Sequence, residues 1–178
     1  MKRFLKYNIS IVVLLVALVL ALVPGSAANA AGEVITSTET GGAWGDSTTW
    51  VGGQVPDLDD DSVVIATTNG DCVTLSAATT VKGSLTINSG AELITGGYAL
   101  TLEGDFVNNG LFDPDGSNII IAGTAPTQNI AGFSTTGTVS MTKTAGVATF
   151  TGNVTGGGLT LNGPRRDVES WCGQGTPI

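Results

Sequence analysis

The sequence predicts an all-β chain wound as a single-stranded β-solenoid, that is, a parallel β-helix with short rungs. Three observations lead there. Short segments rich in Val, Ile, Leu and Thr recur from Val63 to Gly163, separated by Gly and Asn. One phrase repeats among them, as Ser84-Leu85-Thr86-Ile87, Ala99-Leu100-Thr101-Leu102 and Gly158-Leu159-Thr160-Leu161. Repetition of a short strand and a turn builds an elongated structure rung by rung. Finally, no stretch after residue 31 spaces its apolar residues at i, i+3, i+4 and i+7, so an amphipathic helix has no signal. A β-sandwich of antiparallel hairpins is the alternative architecture, and it suits such short strands less well.

The elements follow in order. Lys2, Arg3 and Lys6 precede an unbroken apolar run from Ile11 to Val23, which Pro24-Gly25 ends. Ala28-Asn29-Ala30 then offers the small residues that a signal peptidase reads. The run of thirteen residues falls short of the roughly twenty needed to span a bilayer. Residues 1–30 are therefore expected to be a signal peptide, with the mature chain starting near Ala31 outside the cytoplasm. Residues 31–62 form an expected lead-in and cap that contains Trp44 and Trp50. The repeats occupy 63–163. Composition changes at 164–178, which reads either as a polar cap or as a truncated end.

Period-2 alternation between turn signals places strands near 63–66, 72–75, 80–87, 91–94, 98–102, 105–108, 111–112, 118–122, 128–130, 137–141, 146–150 and 158–161. The turns between them contain Asn69-Gly70-Asp71, Asn88-Ser89-Gly90, Gly96-Gly97, Asn108-Asn109-Gly110 and Asp113-Pro114-Asp115-Gly116. Asn, Asp and Gly tolerate the positive φ of tight corners. Fifteen residues separate Leu85 from Leu100 and nineteen separate Leu100 from Ile119, which fits coils of two or three short strands.

Charge narrows the partners. Without residues 1–30 the chain keeps four Lys+Arg, at Lys82, Lys143, Arg165 and Arg166, against fifteen acidic residues, a formal net charge of −11. Four scattered cations make no groove for a phosphate backbone, which excludes nucleic acid. The same charge repels anionic lipid, so no membrane partner is expected once the leader is cleaved. Cys72 and Cys172 lie a hundred residues apart. In an exported chain they form either one disulfide or two free thiols.

The segment from Gly41 to Ile65 carries Trp44, Thr49-Trp50, Gly52-Gly53-Gln54-Val55-Pro56, then Asp61, Val63 and Ile65. That order resembles the opening of Gly-rich extracellular β-solenoid repeats on bacterial surface proteins, including domains of the G8 type. The resemblance covers roughly Gly41 to Gly163. It implies a solenoid on the cell surface, and an Asp just before the first strand, here Asp60 or Asp61, that caps a turn.

Candidate chemistry is sparse. Asp57, Asp59, Asp60 and Asp61 form the densest acidic cluster. Calcium, which takes six to eight oxygens, is one reading of it, and a solvated, turn-capping run is the other. No Asp-x-Asp-x-Asp-Gly loop with a distal Glu follows. Asp113 and Asp115 have the spacing of a carboxylate pair, but Asp-Pro-Asp-Gly is a strong turn sequence. The chain has no histidine, which removes Ser/His and Cys/His nucleophilic arrangements. Trp44 and Trp50 either cap the first coil or offer rings that stack on a glycan. Thr-rich rows such as Thr79-Thr80 and Thr135-Thr136 suit exposed β faces. The expectation is a secreted or cell-surface structural or adhesive module without catalytic activity and without a cofactor other than calcium. Its partner would be an extracellular polysaccharide, another surface protein or itself. A carbohydrate-binding module and a self-assembling filament or layer subunit are the alternatives.

Overall fold

The computed structural model describes residues 32–56, 61–68 and 70–161, which belong to one compact unit, Ala31–Ile178. The chain opens with β1 (Val34–Thr36) and β2 (Gly42–Ala43). It then repeats a three-strand coil: β3 (Ser62–Ile65), β4 (Val73–Thr74), β5 (Thr79–Val81); β6 (Leu85–Ile87), β7 (Glu92–Ile94), β8 (Leu100–Leu102); β9 (Phe106–Asn108), β10 (Leu111–Asp113), β11 (Ile119–Ile121). The pattern continues through β12 (Thr127–Ile130), β13 (Phe133–Ser134), β14 (Thr138–Met141), β15 (Val147–Phe150), β16 (Val154–Thr155) and β17 (Gly158–Leu161).

Each coil contributes one strand to each of three faces. The first face runs β1-β3-β6-β9-β12-β15 and the third runs β5-β8-β11-β14-β17. The second runs β2-β4-β7-β10, and the pair β13-β16 takes the same place in the later coils. Neighbouring strands pair in parallel, as in Val63↔Leu85↔Phe106 on the first face and Val81↔Leu102↔Ile121 on the third. Parallel neighbours need a long crossover between them. Here the other two faces supply it, so a single winding satisfies every connection. This is a β-solenoid and not a sandwich.

The alternation in sequence becomes the inside and the outside. Leu85 and Ile87 are buried with Thr86 between them half-buried, and Leu100, Thr101 and Leu102 repeat the pattern. Inward residues stack coil on coil into a continuous core that includes Ile35, Val63, Leu93, Ile119, Ile121 and Ile130. Each such side chain contributes roughly 1.5–3 kcal/mol by leaving water. Phe106, Phe112 and Phe133 meet edge to face inside, with centroids 5.1, 6.3 and 5.9 Å apart, an arrangement that matches their quadrupoles.

Corners determine where strands stop. The expected strand 80–87 is two strands, broken at Lys82-Gly83-Ser84 where the chain turns from the third face to the first. Gly83 donates to the Asp61 carbonyl at 3.1 Å, and a methyl group there would strike the same carbonyl. Gly104 sits on Gly83 in the same way one coil later. Inside the corners, buried hydroxyls bind backbone carbonyls. Thr95 Oγ1 donates to Pro114 O at 2.5 Å and lies 2.7 Å from Ser117 Oγ. Thr135 Oγ1 donates to Ser117 O at 2.9 Å, and Ser37 Oγ lies 2.9 Å from Thr67 Oγ1.

The coils begin before Val63, because β1 and β2 already hold their places on the first and second faces. The repeated phrase does not mark the coil period. Leu85 belongs to the first face and Leu100 to the third, whereas Leu100 and Ile119 are register partners in successive coils.

Candidate functional site

Among the described residues the first coil shows no third-face strand, and the tryptophan segment lies in the chain between β2 and β3. Asp46 initiates it. Its carboxylate accepts bonds of 2.9 Å from both the amide and the hydroxyl of Thr48, opening the short 3-10 turn Ser47–Thr49. Those bonds, the backbone one foremost, hold the Asp46 carboxyl below its ordinary value of 3.8. The turn brings Trp50 back onto Trp44. Trp50 Nε1 donates to Trp44 O at 2.8 Å, and the rings meet edge to face with centroids 4.9 Å apart. Trp44 is 5% exposed and Trp50 2%. The rings belong to the core and leave no face on which a sugar can stack, which corrects the glycan-platform expectation for both residues.

Asp57, Asp59 and Asp60 lie outside the described residues. Asp61 is buried at the foot of β3, where its carbonyl receives the Gly83 amide. Asp113 and Asp115 are exposed and form a turn: the Asp115 amide donates to Asp113 Oδ1 at 3.0 Å, and Asp115 holds a φ of 40°. Among the described residues no three His, Cys, Asp or Glu side chains gather as metal ligands.

Cys72 is half-buried, with its Sγ 3.5 Å from Thr74 Oγ1. Among the described residues it forms no disulfide, and Cys172 lies outside them. A groove of about 490 Å³ runs past Cys72, Thr74, Asp71 and Ala43 near the start of the second face. Lys143 is buried and donates from Nζ to Ala125 O at 3.3 Å.

The outward positions of the third face form the most regular surface. Thr80, Thr101, Ile120 and Ser140 are successive register partners on β5, β8, β11 and β14. The strands β5, β8, β11 and β14 contain no charged residue. Thr80, Thr101 and Ser140 are half-buried, and their hydroxyls bond to no described protein group. Some hydroxyls elsewhere are engaged: Thr95, Ser117 and Thr135 are consumed in corners, and Ser84 Oγ bonds Ser62 Oγ at 3.1 Å, whereas outward Thr86 on the first face bonds no described group. Of the Thr rows expected to be exposed, Thr80 faces outward, while Thr135 is 6% exposed and supports a corner. Only the register of separate coils brings Thr101 and Ser140 into line with Thr80.

No family model, curated protein or solved structure matches the chain.

Proposed function

We propose that this chain is a secreted or cell-surface structural and adhesive module, akin to the G8-type surface repeats, that works without catalysis. A solenoid fold alone hosts many activities, so the reading rests on the outer surface. The observation that carries it is the unbroken parallel register of the first and third faces, whose outward positions are short and mostly uncharged. Such a face is stiff, because its inner strands are hydrogen-bonded on both sides and their inward residues are packed between successive coils. Stiffness lowers the entropy lost on contact, so many weak contacts add up instead of being spent on ordering the surface. The leader-like pattern of residues 1–30 and the acidic balance support a location outside the cytoplasm.

The experiment compares attachment to surfaces and retention in the extracellular matrix for cells with and without this chain. A severalfold loss of attachment, restored by re-expression, supports the module. Unchanged attachment and an unchanged matrix would overturn it.

A further inference from the structure

We infer that the third face is the docking surface for an uncharged, hydroxyl-rich polysaccharide laid along the solenoid axis. This rests on the reading of the chain as an extracellular adhesive module and names the partner of one of its faces.

The row Thr80, Thr101, Ile120 and Ser140 advances by one strand per coil in unbroken parallel register. At the strand spacing of about 4.8 Å, the four positions span about 14 Å. The hydroxyls of Thr80, Thr101 and Ser140 carry no bond to a described protein group, so they are free to donate and accept outward. A threonine on a β-branched stem holds few χ1 states, so the array loses little freedom when a ligand arrives. Ile120 and the threonine methyls set apolar contact between the hydroxyls, and a sugar chain presents the same mixture of C–H and O–H.

Charge selects among occupants. The whole chain has a net charge of −8, which opposes anionic polymers and also a second copy of itself. The third-face strands β5, β8, β11 and β14 add no charge of their own, so an uncharged polymer meets no penalty. Tight protein docking draws on Trp, Tyr and Arg anchors set in pockets. The row has none. Its contacts are small and repeated, which favours a long repeating partner bound by avidity.

The test is retention of the full-length chain by microcrystalline cellulose and by chitin, with sodium polypectate as the anionic comparison. Three variants accompany it: the triple Thr80→Ala/Thr101→Ala/Ser140→Ala, the single Thr101→Glu, and Thr86→Glu on the first face, each checked for native circular dichroism. The expected result is retention by at least one neutral polymer, insensitive to salt, reduced about tenfold or more by the third-face variants and unaffected by Thr86→Glu. The triple alanine variant keeps the test sharp if a glutamate on the sheet disturbs folding. Retention by polypectate alone, no retention by either neutral polymer, equal loss with Thr86→Glu, or light scattering that shows a dimer sealed through this face would each overturn the inference. A chain found outside the cell that fails to bind neutral polymers refutes the docking face alone. A chain confined to the cytosol refutes the extracellular reading beneath it.

Discussion

The indole N–H of Trp50 donates to the backbone carbonyl of Trp44 at 2.8 Å while the two rings meet edge to face. That one contact closes the tryptophan segment and satisfies a polar group in a region where both rings are almost fully buried. It packs the tryptophan segment between β2 and β3 into the core.

Removing this plug is costly. Trp50→Ala is expected to lower stability by about 3–5 kcal/mol, the range for truncating a buried aromatic residue. Trp50→Phe retains most of the apolar area but leaves the Trp44 carbonyl without its donor, for a loss of about 1–3 kcal/mol. Urea titration of the three proteins at one pH gives the ranking.

Close stacking at the corners sets the second expectation. Gly104→Ala drives a methyl group into the Gly83 carbonyl, and relief requires the two coils to separate. A cost of about 1–3 kcal/mol or more follows, whereas Thr86→Ala, outward on the first face, stays within about 0.5 kcal/mol. Thermal melts separate the two.

Buried hydroxyls give the third. Thr95→Val preserves shape but removes the donor to Pro114 O and the partner of Ser117 Oγ. A loss of about 1–3 kcal/mol is expected, with amide exchange accelerated first around Pro114 to Ser117. An unchanged melting point would show that these hydroxyls are incidental to the corner.

Acid acts on the first coil through Asp46. Its carboxyl is held below 3.8 by the Thr48 bonds, so its folded value lies beneath its unfolded one. The contribution is present above pH 3.8 and is lost as pH falls through the lower, folded value. Asp46→Asn keeps an acceptor for the turn and removes this dependence. Tryptophan fluorescence followed from neutral to acid pH should show a transition near the tryptophan pair that is smaller in the variant.

Much of this architecture is legible in the sequence. Leu85-Thr86-Ile87 and Leu100-Thr101-Leu102 display inside and outside directly, and the turn residues mark the corners near Asn88 and Gly97. The break at Gly83 is hidden, because Thr80 to Ile87 alternates well enough to pass for one strand until the Asp61 carbonyl claims the space. Two-residue strands such as β13 and β16 are too short to show a period of two, and only their pairing with each other defines them. The candidate site was less visible still. Trp44 and Trp50 look like platforms in a list of residues and become core once Asp46 folds one back on the other. Thr80, Thr101 and Ser140 look like ordinary β residues and become a row only when coils of about twenty residues stack.

The most direct test of an exported, surface-displayed solenoid is to fractionate the producing cells and sequence the N-terminus of the recovered chain. The account predicts a chain in the culture fluid or on protease-accessible cell surfaces, starting at or near Ala31. A chain that begins at Met1 and stays in the cytosol would contradict it.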